Sequence, residues 1–186
     1  MKKQLNCFAD SFVALDIETT GLSAYKNEII EFAAVKVENG VIVDTYSSLI
    51  KPVARIPYFI TNLTGISNED VADAPRIVDL LPKIRDFIGD SVVLGHNVTF
   101  DIGFLRANFD KYMALPFNNR YLDTMIISRR LFPEMPHHRL CDLEKKFGLR
   151  NERAHRALSD VYLTLDAYEY MKNYEKGEKA YADESC

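Results

Sequence analysis

The sequence predicts an α/β layered fold built around a mixed sheet. Two observations carry this. Two strand-like runs flank Asn39-Gly40, a strong hairpin signal. After residue 74, short apolar strand segments alternate with segments of helical period. At 186 residues the chain suits one domain with a sizeable core. It shows neither an internal repeat nor a dividing linker.

Residues 12–17 (F-V-A-L-D-I) read as a buried strand closed by Thr19-Thr20-Gly21. Residues 29–37 and 41–50 read as its antiparallel successors. Residues 57–74 read as loop and short helix. Ala74-Pro75 then opens a helix with Ile77, Leu80, Leu81, Ile84 and Ile88 at helical spacing, stopped by Gly89. Pro82 inside it predicts a kink or a break into two pieces. Residues 91–94 form a short strand that leads into Gly95-His96-Asn97. Residues 99–113 are helical, with Phe100, Phe104 and Leu105 on one side. Tyr121-Leu122 is a last strand, and Asp123 or Thr124 caps the next helix. Residues 140–147 form a short helix ended by Gly148. Residues 156–172 form a terminal helix with Leu158, Val161, Leu165 and Tyr168 inward. Residues 1–9 read as an N-terminal extension, 10–173 as the domain and 174–186 as a charged, disordered tail. This pattern leaves the strand order open.

Hydrophobic residues make up 47% and charged residues 27%, the balance of a soluble globular protein. No apolar run nears the roughly 20 residues of a membrane span, and residues 1–6 lack a signal-peptide core. Cys7, Cys141 and Cys186 are odd in number and form no C-x-x-C pair. Neither a disulfide framework nor a zinc site is expected, and a reducing cytoplasm is the expected home. The net charge of -4 argues against nucleic-acid binding by overall charge. Locally the balance reverses: residues 129–156 hold eight Arg and Lys against four Asp and Glu. That stretch is either a basic surface for phosphates or a solvated helix face and loop.

Three motifs bear chemistry: D-I-E-T-T-G at 16–21, H-N-V-T-F-D at 96–101 and H-R-A-L-S-D at 155–160. Asp16 and Glu18 are two apart on a strand, so both face the same way. Burying two adjacent carboxylates without a cation is costly, and their hard oxygens suit Mg²⁺ or Mn²⁺. An Asp-x-Glu pair alone is more often an ordinary strand end. Thr19, Thr20 and Gly21 sharpen the signal, because hydroxyls, amides and a small residue can touch a sugar or phosphate. Asp101 falls in the first turn of a helix after a strand, where α/β folds keep their sites. The bland reading is an acid favoured by the helix dipole. His96 and Asn97 can be turn residues only. His155 and Asp160 are five apart, about 140° around one helix, so they share a site only if His155 precedes it. Histidine is the usual general base near neutral pH. His137 and His138 read as surface, with contact to phosphate as the alternative. The absence of G-x-x-x-x-G-K-[ST] and G-x-G-x-x-G removes common nucleotide-binding competitors.

With these motifs in order, the chain resembles the DEDDh 3'–5' exonucleases of the DnaQ-like, ribonuclease H-like superfamily. The matching patterns are D-x-E-T-T-G, H-N-x-x-F-D and H-x-A-x-x-D, joined by Leu63-Thr64-Gly65-Ile66 and Asp73-Ala74-Pro75. Within the family it is most similar to the proofreading exonuclease of bacterial DNA polymerase III. The resemblance implies a ribonuclease H-like three-layer fold with a five-stranded mixed sheet, order 3-2-1-4-5, strand 2 antiparallel. It implies that Asp16, Glu18, Asp101 and Asp160 hold two Mg²⁺ or Mn²⁺ ions and that His155 deprotonates the attacking water. Thr19, Thr20, Gly21 and Leu22 would line the terminal nucleotide, with Leu63, Thr64 and Ile66 nearby. Phe100 would contact the penultimate base, and His96 and Asn97 would join the substrate-binding set. The implied substrate is a DNA 3' end and the implied partner a DNA polymerase or another nucleic-acid-processing complex. Two alternatives stand beside this: an RNA 3'–5' exonuclease using the same residues, and a partner-docked nucleic-acid-binding subunit with a silent site.

Overall fold

The computed structural model describes residues 3–150 and 155–177. One five-stranded sheet forms its centre, in the order β3-β2-β1-β4-β5. The strands are β1 (Phe12–Thr19), β2 (Ile29–Glu38), β3 (Val41–Leu49), β4 (Val93–Gly95) and β5 (Tyr121–Asp123). β2 runs antiparallel to β1 and β3, while β4 and β5 run parallel to β1. The β2–β3 turn is Asn39-Gly40, both at positive φ (50° and 78°), as a two-residue hairpin loop requires.

Helices α2 (Ile77–Ile88) and α3 (Thr99–Met113) cover one face. There Val13, Leu15, Ile17, Phe32 and Val93 pack with Leu81, Ile84, Phe104 and Leu105. Helices α4 (Thr124–Leu131), α5 (Leu140–Phe147) and α6 (Ala157–Glu175) cover the other. Its core joins Phe12, Ala14, Val35 and Leu94 to Leu143, Val161, Tyr168 and Met171. β1 therefore buries side chains on both faces, which explains its continuous apolar run. A third, smaller cluster surrounds α1 (Tyr58–Thr64): Ile30, Ile56, Ile60, Ile66 and Val71.

Several expectations need adjusting. The second helix begins at Ile77 and stays one helix through Pro82, so there is no break into two pieces. Its neighbours Leu81 and Ile84 are fully buried, and that packing holds the helix together across the proline. The terminal helix runs to Glu175, beyond residue 172. Leu158 on it is only half-buried. Residues 3–5 pair alongside β5, with Leu5 N–H donating to Tyr121 O (2.8 Å) and Tyr121 N–H to Lys3 O (2.9 Å). Ala9 N–H donates to the Tyr168 hydroxyl at 2.7 Å. The N-terminal segment is thus docked on the sheet edge. The tail residues 178–186, with Cys186, and the polar residues 151–154 lie outside the described residues. Cys7 and Cys141 are free and exposed. Among the described residues no helix is long and apolar enough to cross a membrane.

Candidate active site

Alternation along β1 sets the site. Phe12 and Ala14 face the α4–α6 core, so Asp16 and Glu18 continue that face towards the strand's C-terminal end. β4 ends at Gly95, in register with residues near Ala14, so β1 runs past its parallel neighbour. Asp101 takes the place of the missing strand: its Oδ1 accepts from Ile17 N–H at 3.1 Å. The carboxylate of Asp101 is buried, in the first turn of α3.

His155 precedes α6 in a left-handed conformation (φ 62°) and is exposed. Its N–H donates to Asp160 Oδ2 at 3.1 Å. Glu18, His155 and Asp160 each bring a ligand atom within 4.8 Å of the other two. Three motifs' worth of sequence separation thus collapses onto one point beside Asp16 and Asp101.

A fifth carboxylate, unforeseen from the sequence, completes the cluster. Glu31 on β2 is in register with Glu18 and is 5% exposed. It accepts from Arg156 Nη2 at 2.8 Å and from Ala157 N–H at 3.0 Å, tying the start of α6 to the sheet. The only hint in the sequence is an acid inside the apolar run I-I-E-F-A-A-V. Glu31→Gln should cost about 1.5–3 kcal/mol, the worth of a charge-assisted hydrogen bond. Denaturant melts would check it; an unchanged midpoint would remove the anchoring role.

The electrostatics are those of crowded acids. Burial, then repulsion from Asp101, Glu18, Asp160 and Glu31, holds the Asp16 carboxyl well above the usual range. Burial also raises Asp101, against the pull of backbone N–H donors. Glu18 is pushed from 4.5 up to about 8 by burial and by Asp160 and Glu31, with Arg156 opposing. The folded chain therefore keeps a proton on Glu18 that the unfolded chain releases near pH 4.5. Without divalent ions, stability should fall as pH rises from about 4.5 to about 8. Melting temperatures in chelator across that range would show it, and a flat or rising curve would contradict the crowding. This donor set of hard oxygens and one imidazole fits a hard divalent cation.

The remaining expected residues divide. Leu22 (88% exposed) and Leu63 lie open at the surface. Thr19 and Thr20 are buried, and their hydroxyls hold the loop: Thr19 Oγ1 donates to Gly21 O (2.7 Å) and Thr20 Oγ1 accepts from Glu28 N–H (2.9 Å). A Cβ on Gly21 would meet Asn27 Nδ2 at 2.7 Å, so any larger residue there requires the Asn27 side chain to shift. Thr64 and Ile66 are buried around α1, with Thr64 Oγ1 donating to Ile60 O at 3.0 Å. Phe100 is half-buried against Phe104, ring centres 5.0 Å apart. Asn97 is exposed at φ 58°, its N–H held by Asp123 Oδ1 at 3.0 Å. His96 is more than a turn residue: its Nδ1 bonds Thr124 Oγ1 at 2.9 Å. Burial pushes it down to about 4, and Arg129, His138 and Asp142 surround it. His138 is half-buried rather than a surface residue, its Nδ1 bonded to Ser128 Oγ at 2.6 Å. Half of the expected basic stretch is paired: Arg130 with Glu175, Arg139 with Asp142, Lys146 with Glu134, Arg156 with Glu31. Glu152 and Arg153 of that stretch lie outside the described residues.

Known proteins are similar to this chain in sequence and fold. The Exonuclease family model (RNase_T) matches residues 13–168. The chain is 36% identical over 168 residues to the DNA polymerase III subunit epsilon of Aquifex aeolicus, covering 90% of this chain and 83% of that protein. It is 39% identical over 163 residues to the PolC-type DNA polymerase III of Clostridium perfringens, covering 88% of this chain but 11% of that protein. The chain thus spans about a tenth of the PolC-type relatives. Among solved structures, Exonuclease X in complex with 5' overhanging duplex DNA matches with TM-score 0.71 and 29% identity, covering 89% of this chain and 92% of that one. E. coli Exonuclease I, in a zinc-bound complex with single-stranded DNA, matches in fold with TM-score 0.80 and 22% identity, covering 91% and 42%. Motifs, sheet order and relatives converge, and the chain is a member of the DnaQ-like exonuclease family, in its DEDDh branch.

Proposed function

We propose that this exonuclease is a metal-dependent 3'–5' enzyme that hydrolyses single-stranded or frayed DNA ends to nucleoside 5'-monophosphates. The convergence of Glu18, His155 and Asp160 beside half-buried Asp16 and buried Asp101 carries the reading. Two Mg²⁺ or Mn²⁺ ions, held by Asp16, Glu18, Asp101 and Asp160, would neutralise the acids, acidify a water and offset charge on the phosphate. Exposed His155 takes the proton from the attacking water. Its backbone bond to Asp160 and the Arg156–Glu31 pair next to it fix where the ring starts. The water oxygen attacks phosphorus, the bond to the 3'-oxygen breaks, and that oxygen takes a proton from solvent. Leu22 and Leu63 present apolar surface to the terminal base, and Phe100 supports the next one. Thr19, Thr20, Gly21, Thr64, Ile66 and His96 act mainly through backbone placement, because their side chains are buried, absent or bonded internally, whereas the exposed Asn97 side chain is open to the strand. Residues 10–173 form the catalytic unit.

The epsilon relative supports a proofreading setting with a DNA polymerase as partner. The same acids would serve RNA, and discrimination lies at the 2'-hydroxyl. Matched DNA and RNA oligomers labelled at the 5' end, with Mg²⁺, Mn²⁺ or chelator, decide it. A metal-dependent ladder on DNA supports the proposal. A ladder on RNA alone changes the substrate and keeps the chemistry.

A further inference from the structure

A groove of about 1000 Å³ runs between the loop that follows β1 and the flank of α3. It lies outside the carboxylate cluster but adjoins its loop, since Asn27 on its wall packs against Gly21 of the Asp16–Gly21 motif. We infer, on the strength of the nuclease reading above, that this groove binds the sugar-phosphate strand leading to the 3' end.

Charge is the first support. Exposed Lys26, Arg106 and Lys111 line the groove, and neither Lys26 nor Arg106 makes an ion pair among the described residues. Two carboxylates share the lining, Glu28 and Asp110. Glu28 is already engaged, accepting from Val53 N–H and Ala54 N–H at 3.0 Å. On a chain of net charge -4, unpaired cations gathered along one groove are a local exception that matches a phosphate backbone.

Shape is the second. Gly103 sits inside α3, where glycine weakens a helix relative to alanine. A Cβ there would meet nothing within 4 Å, so no packing inside the protein calls for glycine. Glycine at an open helix wall instead lets something outside approach the backbone closely. Aromatic surface is the third. Tyr25 is 94% exposed and borders the groove, as does Tyr112 at 40%, with Lys111 Nζ 4.6 Å over its ring. Such rings stack on bases of any sequence. From Gly103 to Lys111 α3 rises about 12 Å, on the order of three nucleotides at duplex rise.

The test is binding of a fluorescein-labelled dT oligomer in chelator, read by anisotropy against salt. Hydrolysis of thymidine 5'-p-nitrophenyl phosphate with Mn²⁺, which reaches only the carboxylate cluster, runs alongside. The Lys26→Glu, Arg106→Glu double variant should weaken oligomer binding on the order of tenfold and lower the salt slope by about 1.4, two single-strand phosphate contacts. Its rate on the small ester should match wild type. Gly103→Ala should raise the melting temperature by about 2–4 °C and still weaken oligomer binding. Unchanged affinity and slope in the double variant, with normal ester hydrolysis, would overturn the groove and leave the nuclease reading intact. Wild-type oligomer binding that the double variant loses, with no ester hydrolysis by either, would keep the groove and sink the nuclease reading.

Discussion

Asp101→Asn protein should fold normally and lose at least about 10³-fold in turnover, the scale of several kcal/mol of lost charge stabilisation. Asparagine keeps an oxygen where Asp101 Oδ1 accepts from Ile17 N–H, so the end of β1 stays tethered. It removes a negative charge from the proposed cation site. In chelator its melting temperature should equal or exceed wild type, because one member of a mutually repelling set is gone. Asp101→Ala should differ: it strands a buried N–H, at about 1–3 kcal/mol. Comparing the two separates the carboxylate's chemical part from its structural one. Near-wild-type cleavage by Asp101→Asn would remove Asp101 from the metal set. The same logic applies to Asp16→Ala, which should also abolish turnover.

His155→Ala should lower the single-turnover rate by about 10²–10⁴-fold, the usual worth of a general base. Mn²⁺ affinity, measured by calorimetric titration, should be largely kept. The structure gives this a sharp alternative, because His155 lies within 4.8 Å of Glu18 and Asp160 ligand atoms. If affinity collapses with rate, His155 is a ligand and the base must be sought elsewhere.

Much of this arrangement is legible in the sequence because it depends on local period. The β1 run, the Asn39-Gly40 hairpin, Gly148 as a helix stop and the Asp123 cap each follow from a few adjacent residues. The common face of Asp16 and Glu18 follows from alternation alone. Glu31 was out of reach, because its role needs the β1–β2 register that puts it opposite Glu18. The fates of Thr64 and Ile66 depend on a small cluster closed by Ile30, far off in sequence. The basic stretch stayed open between two readings for a related reason: its sequence does not display partners such as Glu175 and Glu31 that folding brings in. The cations Lys26, Arg106 and Lys111 are scattered in sequence, and only the fold aligns them.

These residues are proposed to cut nucleic acid from its 3' end with divalent metal. The most direct measurement is cleavage of a single-stranded DNA oligomer labelled at its 5' end, with Mn²⁺ and then with chelator, beside His155→Ala. A ladder that shortens one nucleotide at a time, vanishes in chelator and is weak in the variant is the predicted result. No cleavage of DNA or matching RNA under any metal condition would contradict it.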